Sequence, residues 1–492
     1  MKYGSSVLGL VGVISSVAAA AASSSADPTP SFSTVSPSYS EIQAAAATAG
    51  VGEFASDVEG SFFNRFVIIW LENTDFEAAD TQADMEWLSQ YAIKLTNYFS
   101  LTHPSEPNYF AAVSGDYMGM NSDDFFRIPS NVSNVVDLLD TKGISWAEYQ
   151  EHQPYAGYQG FNYSNQETFA NDYVRKHNPL ILFDNVVNNS SRIENIKNFT
   201  SFYDDLENES LPQWMFITPN MTNDGHDTNI DVSGSWSRSF LEPLLNNSYF
   251  MKDTLVLLTF DENENYAIPN RVYALLLGGA VPEKLQGTED STFYNHYSEL
   301  ATVEANWDLP HLGRGDVDAN VFSLVADDLS IATVDIDLSS IYNNFSAPGY
   351  YNDESIPIPP PNVEATNRNG KGVLDSVKNV WGEEYASYTA QSFTYSTATD
   401  NFAKTVASSV TLNSTVLGSA FDATTVSTSA TSAAAVSSTS ATAVTSLASA
   451  SASSSAGSSS AAATATKNVA TTAALAPASG IFGVLIAILA MI

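Results

Sequence analysis

Two uninterrupted apolar runs, each stopping on acidic residues, constrain this chain more than any other feature. Phe66-Val67-Ile68-Ile69-Trp70-Leu71 passes straight into Glu72-Asn73, and Thr254-Leu255-Val256-Leu257-Leu258-Thr259-Phe260 passes into Asp261-Glu262. Apolar runs of this length without polar alternation read as strands buried on both faces, the kind found in parallel sheets. Trp214–Thr218 and Arg271–Leu277 have the same character, and helical patterning lies between the runs at Asp84–Tyr98, Val132–Lys142, Ser235–Leu245 and His296–Trp307. Strands alternating with helices predict an α/β fold in which helices sandwich a mostly parallel central sheet. No long internal repeat and no glycine-rich phosphate loop is visible.

Open sheets of this kind bind ligands beyond the carboxyl ends of their strands, which is where both acidic pairs fall. Carboxylates converging there would repel one another unless a cation neutralised them. Either pair taken alone is better explained as capping the following turn; the two pairs together favour a cation site. A third element is Thr102-His103-Pro104-Ser105-Glu106-Pro107-Asn108-Tyr109. Pro107 suits the first turn of a helix and places Ser105 just before its N-terminus, where free N–H groups and the dipole favour phosphate. A serine nucleophile needs a metal or a histidine to activate it; the plainer alternative is an N-capping serine. A fourth element, Thr218-Pro219-Asn220-Met221-Thr222-Asn223-Asp224-Gly225-His226-Asp227, sets one of only six histidines among acids. His296 opens the last helical stretch, and His177 lies in Arg175-Lys176-His177-Asn178-Pro179.

Composition narrows the function classes. With 19 Lys+Arg against 55 Asp+Glu in 492 residues, a net charge of −36 excludes nucleic acid as a general partner. Such an excess of carboxylates repels itself least when some are protonated, so the chain suits an acidic medium. Cysteine is absent, which excludes disulfides and thiolate chemistry.

The ends read differently from the middle. Residues 1–22, with Lys2 ahead of a short apolar run and the Ala18–Ala22 cluster, are expected to be a secretory signal peptide. Residues 61–345 form the expected catalytic body, and 346–404 a Pro-containing extension whose Ile356–Pro361 stretch marks the edge of the body. Residues 405–467, rich in Ser, Thr and Ala, read as a disordered, O-glycosylated stalk. Residues 468–492 match a signal for a glycosylphosphatidylinositol (GPI) anchor attached at Asn468, because the terminal apolar run Gly480–Ile492 is too short to span a bilayer. Sequons at Asn131, Asn162, Asn188, Asn189, Asn198, Asn208, Asn246, Asn344 and Asn413 fit a secreted glycoprotein on the cell surface, held to the membrane by lipid alone.

Taken in order, Glu72-Asn73-Thr74-Asp75-Phe76, His103–Tyr109, Arg175–Pro179, Pro219–Asp227, Phe260–Glu264 and Asn295–Ser298 resemble the fungal acid phosphatases of the phosphoesterase family. That family also holds bacterial phospholipases C and acid phosphatases, within the alkaline-phosphatase-like superfamily. The resemblance covers roughly Ser61 to Leu324. It implies one divalent metal ion at Glu72, Asn73, Asp261 and Glu262, with Ser105 as the phosphorylated nucleophile. It implies further that His103, His177, His226 and His296, with Asp227 and Asn108, surround the phosphate of a small phosphomonoester. Thr102 is the minor rival for the nucleophile, since a threonine fills that role in some phospholipase members. The leading expectation is therefore an acid phosphatase working through a phosphoserine. Its rivals are a phospholipase C-like phosphodiesterase and a non-catalytic GPI-anchored wall glycoprotein.

Overall fold

The computed structural model describes residues 36–388 except 339, 340, 342, 345 and 348, together with the strands Ser392–Ser396 and Ser409–Asn413. The signal peptide, the stalk beyond Asn413, Asn468 and the anchor signal lie outside the described residues. Among the described residues no helix is long and apolar enough to cross a membrane.

The described residues form twelve strands: β1 (Arg65–Leu71), β2 (Ile93–Phe99), β3 (Trp146–Gln150), β4 (Asn162–Ser164), β5 (Asn171–Val174), β6 (Ile196–Asn198), β7 (Trp214–Thr218), β8 (Thr254–Phe260), β9 (Ala274–Leu277), β10 (Thr288–Asn295), β11 (Ser392–Ser396) and β12 (Ser409–Asn413). Eight of them make one sheet in the order β10-β2-β9-β8-β1-β7-β3-β6, flanked by helices. Every pairing in it is parallel except those of β9, which runs against both β2 and β8. Strands β1 and β8 lie side by side at its centre, and Phe66, Ile69, Trp70, Leu71, Leu255, Leu257 and Phe260 are fully buried. Burial of each such side chain is worth roughly 1.5–3 kcal/mol, which offsets the cost of gathering charged groups at the strand ends. The register pairs Leu71 with Phe260, so Glu72 and Asp261 leave the sheet from adjacent positions on one rung.

Four expectations are corrected. Asp84–Tyr98 is not one helix: a short helix, Ala83–Ser89, is capped by the Gln82 side chain, and β2 begins four residues after it. Ile93, Leu95 and Phe99 follow the two-residue period of a strand, and no Gly or Pro marks the break. The body does not end at residue 345. Val373, Leu374, Val377 and Trp381 belong to the main core, and the Trp381 indole donates to the Asn131 carbonyl at 2.9 Å. The stalk is not wholly without structure, because Ser409-Val410-Thr411-Leu412-Asn413 alternates polar with apolar residues and pairs antiparallel with β11. Finally, Asn344 cannot carry a glycan: it is buried, and its Nδ2 donates to the Tyr266 and Ile268 carbonyls at 3.1 and 2.8 Å. Asn131, Asn188, Asn189, Asn208 and Asn246 are exposed, Asn162 and Asn198 half-buried.

Candidate active site

Everything that bears chemistry lies at the carboxyl edge of the sheet. Glu72 and Asn73 follow β1, Asp261 and Glu262 follow β8, the Ser105 loop follows β2, the His226 loop follows β7 and His296 follows β10. Asn73 adopts φ 42°, a left-handed conformation that Asn tolerates better than most residues, and this aims its N–H at Asp261 Oδ1, 3.2 Å away. Gly225 closes the His226 loop tightly, since a Cβ there would come within 3.3 Å of the Glu72 carbonyl.

Ser105 is the first residue of the helix Ser105–Ser114, one place later than the sequence suggests, with Pro104 as the cap. That helix is buried along its whole length and ends on Gly115 at φ 78°. The Ser105 hydroxyl donates to Glu72 Oε2 at 3.2 Å and also reaches the Asp261 carboxylate. Glu72 in addition accepts the Tyr109 hydroxyl and lies 3.2 Å from His177 Nε2, while His177 Nδ1 lies 3.4 Å from Asp224 Oδ2. Burial, then Asp261 and Asp224, push the Glu72 carboxyl well up, and burial lifts Asp261 to about 6. Asp224 is likewise raised, mainly by burial. Burial depresses His177.

These residues fit a metal ion. Donor atoms of Glu72, His177 and His226 all lie within 4.8 Å of one another, and Asp261 Oδ2 is fully buried with no hydrogen-bond partner among the described residues. Acids crowded beyond water's reach, with an oxygen of Asp261 and one of Asp224 left over, are the arrangement a cation satisfies. The structure thus brings two imidazoles to the acids, which sequence reasoning had placed around the phosphate. Glu262 stands slightly apart: its Oε2 is 2.8 Å from His103 Nδ1, and His103, stacked on Tyr266, is pulled down to about 3 by burial.

A cavity of about 330 Å³ opens above the cluster, lined by Asn73, Ser105, Asp123, Lys176, His226, Glu262 and neighbouring residues. His226 Nδ1 is 2.9 Å from Asp227 Oδ1, and its Nε2 is 3.1 Å from Lys176 Nζ. Two expected phosphate contacts lie elsewhere. Asn108 is fully buried beneath the Ser105 loop, where its carboxamide oxygen accepts from Ser100, Leu101 and Thr102 and its nitrogen donates to the Thr102 carbonyl. His296 is also fully buried, with Nε2 2.7 Å from the Asp261 carbonyl and Nδ1 3.2 Å from the Tyr98 hydroxyl. His296 acts on the site through the backbone it holds, and Asn108 does so through its loop and a 3.5 Å contact from its Nδ2 to Glu262 Oε2. Thr102 is buried and bonded to Ser346.

Behind His296, Glu299 accepts from Trp70 Nε1 at 3.0 Å and Tyr98 OH at 2.8 Å, and burial raises it from 4.5 to about 8. A carboxyl raised on folding binds more protons folded than unfolded between these two values. Its contribution to stability is therefore complete below about 4.5 and is lost as pH rises towards 8. Thermal melts should show Tm falling across that window, with a visibly flatter slope in Glu299→Gln. Parallel slopes for the two proteins would assign the dependence to other groups.

A mostly parallel sheet with an acid, serine and imidazole cluster at its carboxyl edge suits hydrolysis of phosphate esters, and the chain belongs to the phosphoesterase family, whose family model matches residues 56–310. It is 58% identical over 368 residues to a probable acid phosphatase of Kluyveromyces lactis, covering 75% of this chain and 87% of that one. It is 50% identical over 377 residues to an acid phosphatase of Aspergillus fumigatus, covering 75% and 84%. Among solved structures, a protein in the alkaline phosphatase superfamily from Vibrio parahaemolyticus aligns with 54% of this chain and 73% of its own, at 12% identity and a TM-score of 0.33.

Proposed function

We propose that this phosphoesterase is an acid phosphatase that hydrolyses small phosphomonoesters through a phosphoserine at Ser105. The observation that carries the reading is the Ser105 hydroxyl at a helix N-terminus, 3.2 Å from Glu72, on the wall of the cavity. Glu72, Asp261, Asp224 and His177, with Asn73 at the rim, would hold the divalent cation. When bound, such an ion lowers the cost of a serine alkoxide and offsets phosphoryl charge. Ser105 gives up its hydroxyl proton to solvent in the cavity, and Oγ forms the new bond to phosphorus as the bond to the alcohol oxygen breaks. His226, braced on Asp227, delivers the proton that the departing oxygen requires. Water then cleaves the phosphoserine and returns the hydroxyl to Ser105.

Hydrolysis of an aryl phosphomonoester and a bis-aryl phosphodiester, each with and without chelator across pH 4–8, tests this reading. Monoester turnover that chelator abolishes is expected. Preferential diester turnover would move the chain to the phospholipase C-like reading, and turnover of neither would favour a non-catalytic wall glycoprotein.

The same proposal places the enzyme at the cell surface, secreted, glycosylated and GPI-anchored; the terminal segments and the exposed sequons support it. A GPI-cleaving phospholipase should release active enzyme from cells. Retention of Ile492 in the mature protein by mass spectrometry would refute the anchor.

A further inference from the structure

Lys176 is the one Lys or Arg among the described residues lining the catalytic cavity, and no role in the reading above uses it. Its Nζ is 3.0 Å from Asp123 Oδ2 and 3.1 Å from His226 Nε2. An ammonium carries three N–H donors, so one is left for a ligand. Asp123 is fixed in turn, because its other oxygen accepts the backbone N–H of Glu106, the residue after Ser105 in the nucleophile helix. The ammonium is thus tied through a single carboxylate to the helix end that presents Ser105. Around it stand Asp123, Glu262 and Glu264 on the wall and Glu72, Asp261 and Asp224 below. A phosphomonoester entering this cavity brings negative charge into a ring of carboxylates, and Lys176 is the side chain placed to offset it.

We propose that Lys176 binds a non-bridging oxygen of the phosphomonoester, and that Asp123 is the carboxylate that holds the ammonium until the ligand displaces it. This rests on the phosphomonoesterase reading. The alternative is that Lys176 only neutralises the surrounding carboxylates.

Calorimetric titration of inorganic phosphate into metal-loaded protein separates the two without relying on turnover. Lys176→Met should raise the phosphate Kd, and the KM for phenyl phosphate, by roughly 10- to 100-fold, the scale of one hydrogen bond to a charged group. Bound metal should stay near wild-type content, and Lys176→Arg should recover most of the loss. Asp123→Asn removes a carboxylate that competes for the ammonium, so it should tighten phosphate in the wild-type background but not beside Lys176→Met. An unchanged Kd in metal-replete Lys176→Met, or a Kd that rises only in step with lost metal, overturns the proposal. So does an Asp123→Asn protein that binds phosphate no more tightly, a measurement that stands even where Lys176→Met fails to fold. If wild-type protein binds phosphate through Lys176 yet hydrolyses no monoester, the enzymatic reading fails while this one survives.

Discussion

Ser105→Ala should lower kcat for a phosphomonoester by at least ~10³-fold, the scale lost when a covalent nucleophile is removed. The protein should still fold, because the Ser105 hydroxyl is spent on Glu72 and Asp261 and supports none of the core. Neighbouring contacts survive the change: Asn108 still ties the loop together, and the Tyr109 hydroxyl still reaches Glu72. Bound metal should therefore remain near wild-type content. Acid-quenched wild-type enzyme incubated with labelled monoester should carry label on the peptide containing Ser105. Label on Thr102 or a histidine would move the nucleophile and leave the phosphatase assignment standing. Near-normal turnover by Ser105→Ala would remove the covalent intermediate and leave attack by water.

Asp261→Asn should abolish metal binding and activity together. Asp261 is fully buried with an unpartnered oxygen, and it links the Asn73 N–H, the Ser105 hydroxyl and, through its carbonyl, His296. The substitution is nearly isosteric, so the fold should persist. It also removes a charge that raises Glu72 and Glu262, so the metal-free variant should be at least as heat-stable as metal-free wild type. Elemental analysis and melts, each with and without added metal, check both halves. A variant that keeps its metal but loses activity would place Asp261 in the chemistry alone.

Much of this architecture was legible in the sequence where burial is two-sided and continuous. Strands β1, β7 and β8 announce themselves because nothing polar interrupts them, and the acids after β1 and β8 mark the edge where ligands bind. Strand β10 (Thr288–Asn295) escaped because its first half is polar and exposed, and β3 because Glu148 and Gln150 are buried within it. At the site, Ser105, Glu72, Asp261 and His226 could be singled out from strand-end position and motif. Asp224 was passed over for its neighbour Asp227, which adjoins His226 in sequence. Only the fold shows that the Asp224 carbonyl accepts the Glu72 N–H at 2.9 Å, which carries its carboxylate inward. The depth of His296 and Asn108 was equally illegible, since a conspicuous polar residue in a motif looks the same whether it faces the ligand or braces the loop that does.

Because the site draws on five strand ends running from Glu72 to His296, and the core is completed by Trp381, no shorter stretch of the chain holds a working set. A ribosome must release nearly the entire body before hydrolysis can begin. The nascent polypeptide is thus silent towards phosphate esters until that last stretch is free to dock. The recovery of turnover after dilution from denaturant should likewise lag behind the return of helix and sheet, reporting when the last segment has docked.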